Sequence, residues 1–237
     1  MNYGISVLSG GLDSTVSTLL CKKDGYEVIT ITFDYGQRAS EREINSSKKI
    51  SQILGIKHHH VINLDFLKKF SGSALTNIKK DIPELKEDVL DDLEITTKSM
   101  RDVWVPARNM IMFSIGSGIS EYYNSNVVYT GINKEEGVTF PDNTLEFVNR
   151  FNSALEYGTL NKVKLVCPLY DLTKPEIVKL GHSIEKELGV EVLRYSYSCY
   201  HDNGRDFLHC GTCESCQRRK RAFKEAGIPD PTEYVVD

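Results

Sequence analysis

Leu8-Ser-Gly-Gly-Leu-Asp-Ser-Thr15 decides the reading of this chain. The apolar run before it, Tyr3-Gly-Ile-Ser-Val-Leu8, reads as a buried strand. Ser14 to Lys23 carries Val16, Leu19 and Leu20 at helical spacing. The loop therefore joins a strand to a helix. Glycines at such a junction allow a tight turn and a close approach of backbone to ligand. The helix aims its unpaired N–H groups and the positive end of its dipole at the loop. Ser9, Ser14 and Thr15 add hydroxyls. Together these make an anion cradle. No Gly-Lys-Ser/Thr follows, so it is not a Walker A loop, and it is not a G-x-G-x-x-G fingerprint either. An ordinary glycine turn after a strand is the plain alternative.

Working outward, Glu27 to Phe33 is β-branched and apolar and predicts a second strand. Ser40 to Leu54 predicts a polar helix closed by Gly55, and His58 to Leu64 a third strand. This alternation predicts an α/β fold with a doubly wound parallel sheet. Further along, helices are expected over Arg108–Tyr123, Thr144–Tyr157, Lys174–Leu188 (Pro175 tolerated in its first turn) and Glu214–Ala226. Short strands are expected over Asn126–Thr130 and Lys164–Cys167. The chain is expected to divide into a nucleotide-handling domain, 1–190, and a cysteine-rich segment with its terminal helix, 191–237. Residues 65–103 are less regular. Asp81 to Glu94 is acidic with scattered leucines and isoleucines, which fits a solvated helix, an insertion, or a lid over the site.

The 237 residues suffice for one large domain with an appendage. Composition is that of a globular chain, with 40% hydrophobic and 26% charged residues. No apolar run reaches the roughly 18 residues a membrane helix needs. The start of the sequence lacks a secretory signal, so a cytoplasmic protein is expected. The net charge of −4 argues against a nucleic-acid surface spread over the whole molecule. Gln217-Arg-Arg-Lys-Arg221 is a local basic run, although helical geometry would scatter its side chains.

Four of the six cysteines crowd the C-terminal part as Cys199-x10-Cys210-x2-Cys213-x2-Cys216. Thiolates at this spacing can converge on one ion. Four soft ligands point to a closed, tetrahedral and therefore structural Zn²⁺ site, one per chain. Disulfides and an iron–sulfur cluster are the alternatives. His209 could replace one ligand. His58, His59 and His60 alternate faces in a strand, which argues against a shared metal.

In its strand–loop–helix context, Ser9-Gly-Gly-Leu-Asp-Ser-Thr15 resembles the PP-loop of the N-type ATP pyrophosphatase superfamily, with its adenine nucleotide alpha hydrolase-like fold. That resemblance implies a loop that holds the leaving pyrophosphate while the α-phosphate is transferred. Leu8, Ser9, Gly10, Gly11, Leu12, Asp13, Ser14 and Thr15 are the expected nucleotide contacts. Phe33, ending the second strand, should line the adenine pocket, and Gly131 should open the crevice after the fourth strand. Asp13 would hold Mg²⁺ or orient the helix start. Arg108 and Lys174, each beginning a helix, are the candidate cations for charge on the phosphates; surface cations at helix starts are the alternative.

With Phe33-Asp-Tyr-Gly-Gln-Arg38, Val105-Pro-Ala-Arg-Asn109 and the four cysteines in the same order, the sequence resembles the 7-cyano-7-deazaguanine synthases (QueC) over nearly its whole length. The resemblance implies an ATP-dependent carbon–nitrogen ligase acting on 7-carboxy-7-deazaguanine and ammonia. The carboxylate is adenylated and ammonia displaces AMP. A second ATP then activates the amide, and loss of AMP leaves the nitrile, preQ0, used for queuosine or archaeosine. It also implies a homodimer; the acidic balance and short chain make direct nucleic-acid binding an unexpected property. Gly131 to Thr144 departs from the family, whose members carry an Asp-aromatic-Ser-Gly-Tyr-Pro-Asp-Cys-Arg stretch there. Only Pro141 and Asp142 remain. A paralogue that stops at the amide or adenylates another acceptor is one rival, a tRNA-modifying PP-loop enzyme a second, and a zinc-stabilised binding module a third.

Overall fold

The computed structural model describes residues 2–236. Five parallel strands form the central sheet: β1 (Tyr3–Val7), β2 (Glu27–Asp34), β3 (His58–Asn63), β4 (Val127–Tyr129) and β5 (Lys164–Val166), in the order β3-β2-β1-β4-β5. The chain builds outward from β1 to β3, then returns to β1's other side to place β4. That reversal between β1 and β4 opens a crevice at the strands' C-terminal ends. β2 is buried on both faces, as its Val-Ile-Thr-Ile-Thr run requires.

Helices cover both faces. The helices α1 (Leu12–Lys23), α2 (Ser40–Ile53) and, later in the chain, α8 (Lys174–Leu188) and α9 (Glu214–Ala226) share two apolar clusters on one side. These are built from Leu12, Val16, Ile177 and Phe223, and from Leu19, Ile50 and Ile184. On the other side, α5 (Arg108–Tyr122) and α7 (Leu145–Gly158) bury Met112, Phe113, Val148 and Leu155 against Ile5, Ile31 and Val128. Between them lie the short helices α3 (Phe66–Lys69), α4 (Leu93–Val103) and α6 (Lys134–Gly137). A capping box, Thr173 with Glu176, starts α8 and seats Pro175 in its first turn. β6 (Leu208–His209) pairs with β7 (Glu233–Tyr234) beside the cysteines.

The β3 histidines separate as a strand demands. His59 Nδ1 is 2.9 Å from Thr30 Oγ1, while His60 Nε2 is 2.9 Å from the Tyr123 hydroxyl on the opposite face.

The acidic stretch is neither a solvated helix nor a free flap. It contributes only a 3₁₀ turn at Glu87–Val89, and α4 begins at Leu93. Two of its acids pair with the basic helix α9, Glu87 with Lys224 (3.0 Å) and Asp91 with Arg221 (2.9 Å), and Asp92 caps α4. Glu84 bridges to Cys213 through the backbone, and Ser99 of α4 hydrogen-bonds buried Glu214. The insertion is a clasp around the cysteine segment. No described helix is long and apolar enough to cross a membrane.

Candidate active site

The loop after β1 makes the anion cradle. Gly11 caps α1 with extended backbone, and Gly10 turns at φ +87°. A Cβ at Gly10 would lie 2.7 Å from the Glu43 carbonyl, so glycine is required there. The loop is pinned from behind: the Tyr197 N–H donates to the Gly10 carbonyl (2.7 Å), and Ser46 Oγ lies 3.0 Å from that same oxygen. Ser9 and Ser14 hydroxyls are 3.0 Å apart. Gly131, at the end of β4, packs so closely that a Cβ would sit 2.7 Å from the Ser14 nitrogen.

These residues open onto a cavity of about 310 Å³ at the β1/β4 crevice. Of the expected nucleotide contacts, Ser9, Gly11, Leu12, Asp13, Ser14, Phe33 and Gly131 line it. Leu8 and Thr15 do not. Leu8 is fully buried in the cluster with Leu19 and Ile50, and Thr15 turns its hydroxyl to the Gly11 carbonyl at 2.7 Å. Gly10 shapes the turn from outside the lining.

Both expected cations reach the cavity. Lys174 Nζ is hydrogen-bonded to Asp13 Oδ2 and lies 2.9 Å from Glu136 Oε1. Burial opposes the ammonium, but the two carboxylates outweigh it, so the Lys174 pKa is raised and the charge held. For Glu136, burial is outweighed by Lys174 and by an Asn133 bond, and its pKa falls. Burial dominates at Asp13 and pushes its pKa up against the pull of Lys174. Asp13 Oδ1 is buried with no partner. Arg108, at the other end, stands over the Tyr35 ring at 5.5 Å and donates to its hydroxyl at 3.2 Å. Ala107, in the left-handed region at φ 53°, swings α5 so that Arg108 enters the cavity.

Sequence reasoning did not single out several lining residues. Glu136 and Asn143 come from the segment 131–144. The Asn133 side chain caps α6, and Asn143 receives a bond from Asn109 (3.3 Å) while donating to Glu136 (3.4 Å). Gln37 and Glu43 sit beside Tyr35. Gln37 carries a signal, because the resemblance implies that the Asp34-Tyr-Gly-Gln37 turn lies near the nucleotide or the base; Glu43 carries none. Arg38 itself turns away to hold the carbonyls of Asn77 and Lys80. Tyr200, Glu214 and Arg218 bring the cysteine segment into the wall.

The basic run disperses. Arg219, 2% exposed, bonds Ser196 Oγ at 2.8 Å and Leu193 carbonyl at 3.2 Å; Arg218 pairs with Glu214 at 2.8 Å; Arg221 belongs to the clasp.

The four cysteine Sγ atoms lie within 4.8 Å of one another, and Cys210 and Cys216 are 3.8 Å apart. A tetrahedral ion with metal–sulfur bonds of about 2.3 Å sets its sulfurs about 3.8 Å apart. Backbone N–H groups of His201 and Cys210 aim at Cys199 Sγ (both 3.4 Å), and that of Cys213 at Cys210 Sγ (3.3 Å). Such donors stabilise thiolate charge. His209 is occupied elsewhere, its Nε2 accepting the Ser198 N–H at 2.9 Å. Burial lowers its pKa to about 3. The cluster can hold a metal through the four cysteines alone.

The chain is 61% identical over 232 residues to the 7-cyano-7-deazaguanine synthase of Methanococcus aeolicus, covering 98% of this chain and 99% of that one. It is 64% identical over 231 residues to the enzyme of the same name from Methanocaldococcus jannaschii, covering 98% of each. Among solved structures it is similar to a 4-thiouridine synthetase–RNA complex with bound ATP, at 19% identity and a TM-score of 0.48, over 95% of this chain and 50% of that one. Residues 3–227 match the family described as queuosine biosynthesis protein QueC, and the chain belongs to that family.

Proposed function

We propose that this chain converts 7-carboxy-7-deazaguanine and ammonia to 7-cyano-7-deazaguanine in two ATP-consuming adenylations. The observation that carries the reading is one cavity lined by the phosphate loop, Lys174 and Arg108, in a chain that shares over 60% of its residues with synthases of that name. The Gly11–Ser14 backbone and hydroxyls would grip the β- and γ-phosphates. Lys174 would offset charge at the α-phosphorus as pyrophosphate leaves. Arg108, with the Tyr35 ring beneath it, offers a planar cation and an aromatic face for the adenylated carboxylate or the base. Asp13, with an unpartnered carboxylate oxygen, suits Mg²⁺, which would supply further charge neutralisation.

Close relatives carry the synthase name, so the departure at 131–144 does not favour another acceptor on this reading. The tRNA rival needs a basic face, and the one basic run is consumed internally. We read 1–190 as the ATP-handling domain and 191–237 as a unit that completes its wall. The enzyme would work in the cytoplasm as a homodimer, which sedimentation checks.

The test supplies purified protein with 7-carboxy-7-deazaguanine, ammonia, Mg²⁺ and ATP. AMP and a nitrile product by mass spectrometry are expected; AMP with an amide alone would place the chain with an amide-forming paralogue, and no AMP would defeat the reading.

For the cysteines the proposed metal is a single structural Zn²⁺. A cubane cluster spreads its four cysteine sulfurs over separate iron corners, farther apart than these. Elemental analysis should give about one zinc and no iron per chain. Stripping it should lower Tm and open the cavity wall, because Tyr197, Glu214 and Arg218 are held by that segment.

A further inference from the structure

Glu43 has no place in the phosphate chemistry, yet it faces the same cavity. It sits in the first turn of α2, and its backbone carbonyl closes on Gly10 of the phosphate loop. Its Oε2 accepts from Gln37 Nε2 at 2.8 Å. Gln37 is fixed in that orientation. Its Oε1 takes the Tyr35 N–H (2.9 Å), and its Nε2 also donates to the Phe33 carbonyl (3.2 Å). The carboxylate is therefore positioned by a neutral amide, and no ion pair to it is found among the described residues. The charged groups that face it are Arg108 from α5, which favours its ionised form, and Asp34 at the end of β2, which opposes it. Burial is the largest influence and raises its pKa to about 7.

The proposed reaction needs such a group. Ammonia is mostly ammonium at neutral pH and has no free electron pair until it loses a proton. We propose that Glu43 is the proton acceptor for the incoming nitrogen, holding the carboxylate that deprotonates ammonium beside the acyl adenylate. The assignment rests on the synthase reading. In the step, ammonium gives one proton to Glu43, and the freed pair forms the C–N bond at the acyl carbon. The C–O bond to the phosphate breaks with its electrons leaving on AMP. A second N–H proton then departs, so amide, AMP and two protons result. Glu43 returns its proton to water in the open cavity before the next turnover.

The test separates the two half-reactions in wild type, Glu43→Gln and Glu43→Asp. Substrate-dependent exchange of labelled pyrophosphate into ATP reports adenylation, and mass spectrometry reports amide formation. For Glu43→Gln, amidation is expected to fall about 100-fold, while exchange changes less than about 3-fold. Its profile of kcat/KM for ammonia should lose the inflection near pH 7. Glu43→Asp should recover part of the rate. Hydroxylamine, an unprotonated nucleophile at neutral pH, should restore Glu43→Gln to within a few-fold of wild type. Unchanged amidation and pH profile in Glu43→Gln would overturn the assignment, and so would equal loss of exchange and amidation. Absence of exchange in the wild type would instead overturn the synthase reading.

Discussion

The two ends of the cavity use the same kind of sequence signal and reach opposite electrostatic states. Lys174 and Arg108 each begin a helix beside a turn. Lys174 is enclosed by two carboxylates, Asp13 and Glu136, with side-chain exposures of 12%, 16% and 37%. Arg108 meets an aromatic ring and acts on two carboxylates without pairing with either: Asp142, and Glu43, which is bonded to an amide instead. In consequence Glu136 is driven below the usual carboxylate range, while Glu43 is pushed up to about 7. Burial raises both; for Glu136 the Lys174 ammonium together with the Asn133 bond outweighs it, whereas for Asp13, against the same ammonium, burial still prevails. One end is an array of close ion pairs, the end proposed to meet the phosphates. The other is a site where a proton can come and go.

Removing the central cation should have the largest effect. Lys174→Met leaves Asp13 and Glu136 facing each other unpaired. A loss of about 3 kcal/mol in stability is expected by urea denaturation, with kcat/KM down about 1000-fold. A stable variant with near-normal turnover would remove the ion-pair-array description. Arg108→Ala should fold with a deficit of about 1 kcal/mol, because the Tyr35 ring it covers tolerates water. Its kcat/KM should drop about 100-fold, and Arg108→Lys should recover little if planarity matters.

The smallest effect carries a sign that distinguishes the two ends. A carboxyl whose folded pKa is raised binds more protons in the folded state than in the unfolded one between about 4.5 and 7. Stability is therefore lost as pH rises through that window. Glu43→Gln, which keeps an acceptor for Gln37, should remove that loss. It should be more stable than wild type at pH 8 by on the order of 1–3 kcal/mol, and no more stable below the window. Thermal unfolding across pH checks it. For Glu136, whose folded pKa is lowered, the sign reverses: its contribution is present above the ordinary carboxylate pKa and is lost on acidification.

Much of this site was legible because its chemistry is local. The cradle needs only a strand end, two glycines, small hydroxyl residues and a helix start, all contiguous from Leu8 to Thr15. Thiolates separated by two residues converge for the same reason. The motif predicts Leu8 and Thr15 as contacts, but strand and helix periodicity place them in the core, because a motif does not show which of its members face the ligand. Glu136 and Glu43 carried no local signal. Each matters only because a distant residue, Lys174 or Gln37, is brought beside it. The acidic stretch 81–94 stays largely exposed, and its contact with α9 carries no local signal because Arg221 and Lys224 lie over a hundred residues on.

The sequence by itself determined the strand–loop–helix cradle, the alternation that makes a parallel sheet, and a cluster of four cysteines able to hold a metal, because periodicity, glycine placement and ligand spacing act over a few residues. Only the tertiary structure decided which carboxylates become partners and which stay protonatable. It likewise decided that an acidic insertion clasps a basic helix, and that the cysteine segment walls the cavity. Those outcomes depend on burial and on charges brought together by the crossover between β1 and β4, which no stretch of sequence contains.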